Sequence, residues 1–325
     1  KGKLEEAMAA VKRMLATYPR STAVYNIKGA VEMALKDYER AIESYQAAIQ
    51  VDPFFAKAHM NLGLALTELN SFDDAQVSYR KAIEIKPDFP EAYNNLGTLF
   101  KQKGEFDRAL ENYQKAIEIK PDFAEAYNNL GTVLSEKGNF EDALMNYKKA
   151  KEIKPDYIDA IINMGVAYEK LGKKVKAIEF YETTLTLDSS FVDLYLSLGK
   201  IYYEIKDYNK AIWNLNKFIE FDPSDFDGYF FLGSTYHVIN DFNNALKFYS
   251  KALKIDPNHF NCLNNIGLVN KELGKFNEAI SNYNQSLKIF NENSFVYNNL
   301  ANLYRETDNN EAAIESYQKA IEIKP

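Results

Sequence analysis

Side chains that carry out catalysis or bind metals are scarce in this chain of 325 residues. It has three histidines, His59, His237 and His259, and one cysteine, Cys262. A single cysteine excludes an internal disulfide and a cysteine-based zinc site, and His259 with Cys262 supplies too few ligands for a metal. Phosphate-binding loops, dinucleotide-binding glycine patterns and zinc-protease motifs do not occur in the sequence. We therefore expect a protein that is not an enzyme and uses no cofactor.

Asparagine is the polar side chain that recurs at a fixed spacing. Asn61, Asn95, Asn129 and Asn163 lie 34 residues apart. Asparagine is a mediocre helix former, so helical propensity does not explain this row. Its amide both donates and accepts hydrogen bonds, and a row of such amides could pair with the backbone of an extended peptide of any sequence. The alternative interpretation is that each asparagine bonds to a neighbouring helix.

The charge balance argues against a generally basic surface for nucleic acid. Lys and Arg number 39 against 46 Asp and Glu, which gives a net charge of −7. No apolar run approaches the length of about 18 residues that a membrane span requires, and no signal segment opens the sequence. We expect a cytoplasmic location, no membrane insertion and no nucleic-acid partner.

The elements that position these residues follow from a repeat that runs through the chain. Glycine, alanine and proline each recur with a period of 34 residues, as in Gly97, Ala109 and Pro121. Residues 1–21 form a leading half repeat. Full repeats are predicted to start at 22, 56, 90, 124, 158, 192, 226, 260 and 294. Since one repeat cannot bury its own apolar face, we expect the repeats to stack into a single solenoid domain over 1–325.

Each repeat is predicted to contain two helices. In the repeat 90–123, apolar residues follow helical spacing in two runs. Gly104 lies where the first helix should end in the left-handed conformation, and Pro121 should end the second helix. Gly97 and Ala109 are predicted to allow a close approach of the two helices.

The repeat pattern resembles the tetratricopeptide repeat (TPR) family. In the repeat 124–157 the matching residues are Tyr127, Leu130, Gly131, Leu134, Ala143, Tyr147 and Pro155. The resemblance covers nearly the whole chain. It implies an all-α fold, an α-α superhelix that is a right-handed solenoid of helical hairpins, whose first helices line a concave groove.

The resemblance also implies that positions 2, 5, 6, 9, 12 and 13 of each repeat face this groove. The asparagine row, similar to one in the TPR arm of O-linked N-acetylglucosamine transferases, then becomes a candidate peptide-binding site. Its members occupy positions 5 and 6: Asn61, Asn94, Asn95, Asn128, Asn129, Asn163, Asn264, Asn265, Asn298 and Asn299.

The asparagine row is interrupted in the repeats that start at 192 and 226. The groove positions there hold Leu196, Tyr203, Phe230, Phe231 and His237. An apolar and aromatic cluster on a concave wall suits an anchoring pocket for a peptide side chain. The alternative is that tighter local packing partly buries these residues.

The predicted function is a protein-interaction scaffold that binds a peptide or partner protein in the groove. One alternative is the substrate-recognition arm of a larger glycosyltransferase or sulfotransferase. Another is a self-assembling oligomer, because a stack of repeats has two ends through which copies could associate end to end.

Overall fold

The computed structural model describes residues 2–324, and within them the chain forms nineteen α-helices and no strand. Apart from α1, first helices of 13 residues alternate with second helices of 14, as in Pro90–Gln102 and Phe106–Ile119. The predicted repeat starts coincide with the first residues of the first helices, from Thr22 to Ser294. The all-α helical-hairpin fold expected from the sequence is confirmed.

The leading half repeat forms a single helix, α1, over Gly2–Thr17. The first helices of the repeats are α2 Thr22–Ala34, α4 Ala56–Glu68, α6 Pro90–Gln102, α8 Ala124–Glu136, α10 Ile158–Lys170, α12 Val192–Glu204, α14 Phe226–Val238, α16 Phe260–Glu272 and α18 Ser294–Glu306. The second helices are α3 Tyr38–Val51, α5 Phe72–Ile85, α7 Phe106–Ile119, α9 Phe140–Ile153, α11 Lys174–Leu187, α13 Tyr208–Phe221, α15 Phe242–Ile255, α17 Phe276–Ile289 and α19 Asn310–Ile323.

The hairpins group into two compact units, one ending at Phe180 and the other beginning at Tyr181. Within each unit, helices contact their nearest and next-nearest neighbours along the chain. Each unit is therefore a stack of hairpins. That residues 1–325 form one continuous solenoid stays a prediction.

The first helix of each repeat ends at a residue with positive φ. Gly104 has φ 73°, and its N–H donates to the carbonyl of Lys101 at 2.9 Å. This is the left-handed ending that the sequence predicted. Some repeats lack a glycine here, and Lys206 and Asn240 then adopt the same conformation with φ 66° and 61°.

A tyrosine ring fills the space inside each of several hairpins. A Cβ on Gly97 would lie 2.8 Å from Cε1 of Tyr113 and 3.2 Å from the carbonyl oxygen of Ala109. The glycine therefore makes room for a ring as well as for a backbone. Burial raises the pKa of Tyr113 to about 12, and its hydroxyl donates to Oγ1 of Thr98 at 3.1 Å. The equivalent buried tyrosines include Tyr45, Tyr79, Tyr147, Tyr249 and Tyr283.

Candidate functional site: asparagine pairs and an aromatic cluster

Asparagines at position 6 pair with asparagines at position 5 of the preceding repeat. Nδ2 of Asn129 donates to Oδ1 of Asn94 at 3.0 Å, and Nδ2 of Asn163 donates to Oδ1 of Asn128 at 3.0 Å. We call such a pair an asparagine rung. Two further rungs join Asn61 to Asn26 at 2.9 Å and Asn299 to Asn264 at 3.0 Å. The bond to a neighbouring helix, one of the two interpretations of the row, is thus present at these four places.

Each rung of the first unit leaves one donor and one acceptor in contact with solvent. Asn94 and Asn128 are only 9% and 6% exposed, whereas Asn129 and Asn163 are half-buried. Among the described residues, only two fully buried side-chain polar atoms lack a partner, and both belong to other residues. The unpaired Nδ2 of Asn94 and Oδ1 of Asn129 therefore still reach solvent. A donor beside an acceptor matches the C=O and N–H groups of an extended peptide.

One rung is missing between the repeats that start at 56 and 90. Position 5 of the earlier repeat is Met60, which offers no amide acceptor. Asn95 is half-buried, and its amide makes no side-chain hydrogen bond within the described part of the chain. Both ends of the Asn95 amide remain open to a ligand.

Asparagines of the second unit depart from the rung pattern near the aromatic residues. Position 5 of the repeat before Asn265 is Phe230, and Nδ2 of Asn265 donates instead to the hydroxyl of Tyr249 at 3.3 Å. Nδ2 of Asn264 also donates to Oδ1 of Asn265 at 3.4 Å. Asn298 is exposed, since the last repeat has no described successor to cover it.

Four of the five predicted aromatic and apolar residues lie together in the second unit. The rings of Phe230 and Phe231 are 5.6 Å apart at 87°, and Tyr203 meets Phe231 edge-on at 6.2 Å. Leu196, Phe230 and Phe231 are partly buried and pack against the same apolar core. We call Leu196, Tyr203, Phe230 and Phe231 the aromatic cluster. Its residues are half-buried, so part of their apolar surface remains exposed.

The structure adds residues to the aromatic cluster that the sequence analysis missed. Phe226 stacks on Phe230 at 5.5 Å, and the ring of His259 lies 4.2 Å from that of Phe226. Nζ of Lys200 lies 4.9 Å from the centroid of Phe231 and 2.6 Å from Oδ2 of Asp227. Position 9, occupied by Lys200, was expected to face the groove, and this was the signal available in the sequence.

His237 stands apart from these rings. Its ring meets Phe242 at 6.1 Å. Burial lowers the pKa of His237, and the carboxylate of Glu272 only partly opposes this shift. This shift favours the uncharged imidazole.

Family comparisons identify the repeats. Sequence profiles described as TPR repeat match residues 29–70, 63–104 and 97–138. Profiles described as tetratricopeptide repeat match 122–190, 192–225, 227–292 and 294–325. The chain belongs to the tetratricopeptide repeat family. A comparison with curated proteins found no match.

Several solved structures are similar to this chain. PilF of Pseudomonas aeruginosa is 24% identical, with a TM-score of 0.55 over 62% of this chain and 92% of that one. MamA is 28% identical, with a TM-score of 0.44 over 49% of this chain and 92% of that one. YrrB, described as a TPR protein with an unusual peptide-binding site, is 21% identical with a TM-score of 0.44, and the match covers 62% of this chain and all of that one (100%). The likeness to PilF shows a shared fold and nothing more.

His259 and Cys262 play structural parts within their tetratricopeptide repeat. The backbone N–H of Cys262 donates to Nδ1 of His259 at 3.2 Å, which caps the first helix of that repeat. Cys262 is buried, and burial raises the pKa of its thiol to about 12. Residues 2–324 contain no group of three or more histidine, cysteine or acidic side chains that could hold a metal. No described helix is both long enough and apolar enough to cross a membrane.

Proposed function

We propose that this tetratricopeptide repeat protein is a protein-interaction scaffold that binds an extended peptide segment of a partner protein along its first helices. The observation that supports this proposal is the open donor and acceptor beside each asparagine rung, as at Asn94 and Asn129.

The proposed division of labour follows from chemistry. Amides at positions 5 and 6 read only the peptide backbone, so they hold many sequences at similar affinity. The aromatic cluster offers a half-buried apolar surface, which favours a partner with an apolar or aromatic anchor. Backbone contacts would therefore give affinity, and the aromatic cluster would give selectivity.

The test uses peptides selected from a displayed random library on the full chain. Asn95→Ala is expected to lower the affinity for the selected peptides by roughly three- to tenfold, because one net hydrogen bond contributes about 1 kcal/mol. Its unfolding free energy should not fall, since the Asn95 amide has no partner to lose and alanine is the better helix former. Fluorescence anisotropy and urea denaturation measure the two quantities.

Asn129→Ala is the matched variant within the same row. It removes the hydrogen bond to Asn94, so it should lower the peptide affinity and also lower the unfolding free energy by about 1 kcal/mol. If both variants bind every selected peptide as the unaltered chain does, the asparagine row takes no part in binding. Selected peptides without apolar anchors would argue against the aromatic cluster.

Two alternatives stay predictions: the recognition arm of a larger glycosyltransferase or sulfotransferase, and a self-assembling oligomer. End-to-end association would use apolar side chains that the last hairpin exposes, Phe295 at 71%, Ile314 at 58% and Ile321 at 63%.

A further inference from the structure

An open pocket of about 520 Å³ lies between the repeats that start at 56 and 90, within the first unit. We call it the Met60 pocket. Its apolar lining comes from Phe55, Met60 and Phe89, and its charged rim from Lys57, Lys86 and Glu91. Neither the asparagine rungs nor the aromatic cluster includes these residues.

The Met60 pocket occurs where a rung is missing. In every rung, position 6 of one repeat meets position 5 of the repeat before it, and here these two positions hold Asn95 and Met60. Methionine cannot accept the amide hydrogen bond that Asn94 accepts from Asn129. With methionine at this position the amide of Asn95 stays unpaired, and Met60 itself lines the pocket.

The apolar lining is held in place by the core beneath it. Phe89 is only 9% exposed and belongs to a buried cluster with Ala56, Ala82 and Ala92. Met60 packs against that cluster while remaining half-buried. An unbranched thioether adapts to the shape of its neighbour, so this lining suits an aliphatic side chain.

The rim carries more positive than negative charge. Neither Lys57 nor Lys86 forms an ion pair with any described residue, and Nζ of Lys86 lies 5.1 Å from the centroid of Phe89. Other lysines of the same unit do pair between repeats, such as Lys103 with Asp73 at 3.0 Å. Two unpaired ammonium groups against the single carboxylate of Glu91 favour an acidic group on the occupant.

The geometry points to a selectivity site for partner segments in which an aliphatic residue is followed by an acidic one. This inference rests on the proposed function, because it takes the occupant to be an extended peptide held along the first helices. The aliphatic side chain would enter between Phe55 and Phe89 over Met60. Its backbone would meet the free amide of Asn95, and the acidic residue would lie near Lys57 and Lys86.

The experiment uses three fluorescein-labelled peptides and the full chain. The test peptide is Gly-Ser-Gly-Leu-Glu-Glu-Gly-Ser-Gly, one control has Ser in place of Leu, and the other has Lys in place of both Glu. Anisotropy titrations should show the test peptide binding about tenfold tighter than either control. Equal binding of all three peptides overturns the inference.

Met60→Asn tests the missing rung directly. It gives Asn95 an acceptor and replaces the apolar floor with an amide. We expect a loss of the tenfold preference for Leu over Ser, and a melting temperature by circular dichroism that does not rise, because the new hydrogen bond only offsets part of the apolar burial that Met60 provides. A variant that keeps this preference contradicts the pocket, whatever happens to its stability.

The rim is tested separately with Lys57→Glu combined with Lys86→Glu. Both lysines are exposed, so the fold should survive, and the preference should turn toward the lysine-containing peptide. The matched control is Lys120→Glu, the equivalent of Lys86 one repeat later, which lies 4.8 Å from the Phe123 ring. That control should leave the peptide preference unchanged. If Lys120→Glu changed the preference equally, the cause would be the overall charge of the protein and not the Met60 pocket.

These experiments separate failure of the Leu-Glu selectivity inference from failure of the proposed peptide-binding function. Library-selected peptides that respond to Asn129→Ala keep the peptide-binding proposal even if the Leu-Glu preference is absent. Conversely, if Met60→Asn abolishes the preference for Leu over Ser and Asn129→Ala changes no peptide affinity, peptide binding is confined to the Met60 pocket.

Discussion

Tyr113 and Tyr283 occupy the same position in two repeats, yet only one hydroxyl has a partner. Tyr113 donates to Thr98, whereas the buried hydroxyl of Tyr283 has none within the described part of the chain. The equivalent of Thr98 is Leu268, which cannot accept a hydrogen bond. A buried polar group without a partner costs free energy, so the two hydroxyls should affect stability differently.

Replacing each tyrosine with phenylalanine tests this difference. Tyr113→Phe should lower the unfolding free energy by about 1 kcal/mol, because it removes the hydrogen bond from Tyr113 to Thr98. Tyr283→Phe should leave it unchanged or raise it, because only an unpaired hydroxyl is removed. Urea denaturation of both variants gives the comparison, and equal losses would mean that Tyr283 has a partner in solution, such as water.

At the residue scale, the sequence predicted the asparagine row but not its pairing. The spacing of 34 residues shows that the same position recurs, and both a ligand bond and an interhelical bond remained open. Which amide donates, and to which residue 35 positions earlier, depends on how two hairpins pack. Met60 was visible as a break in the row, but the pocket beside it depends on side-chain packing that a sequence does not give.

Several hairpins depend on a close fit between one glycine and one tyrosine ring. Gly97 leaves no room for a methyl group beside Tyr113, which is fully buried. The last hairpin differs, because Ala301 occupies the glycine position and its tyrosine, Tyr317, is only half-buried. The chain thus contains a natural comparison for the same contact.

Gly97→Ala should lower the unfolding free energy by about 1 to 3 kcal/mol, because the new methyl group forces the Tyr113 ring or the helices to move. The matched change, Ala301→Gly, should have a smaller effect, through glycine's poor helix propensity of about 1 kcal/mol. Guanidinium denaturation measures both. A neutral Gly97→Ala would show that the hairpin opens slightly without cost.

At the element scale, helix starts and ends were predictable because each has a local cause. The predicted start at residue 90 is the first residue of α6, and the left-handed ending appears at Gly104. Lys206 shows that the ending is fixed by the hairpin even where glycine is absent. The role of Gly97 was only half anticipated, since the ring it accommodates lies in the partner helix 16 residues later.

For the whole molecule, the contacts within each unit join only helices that are close along the chain. Such a stack behaves as a sum of repeat stabilities and neighbour interfaces. Removing one full repeat should therefore preserve the fold of the rest, whereas removing half a repeat should not.

Deletion of 124–157 is the favourable case, because Asn163 would then meet Asn94 and re-form a rung. We expect an unchanged ellipticity per residue, a cooperative melt and a lower unfolding free energy. Deletion of 124–140 is the control, because it removes the first helix of that repeat. The second helix of the repeat would then directly follow the second helix of the preceding repeat. If both deletions unfold the protein equally, the repeats are not independent units.

The same neighbour-only contacts bear on how the polypeptide is made. A nascent chain leaves the ribosome from its N-terminus, and domains fold as their residues emerge. Within each unit, a new hairpin would find its packing surface already present, on the segment synthesised just before it. Its folding then does not depend on a distant stretch of translation, so apolar faces within a unit are left uncovered only briefly during biosynthesis.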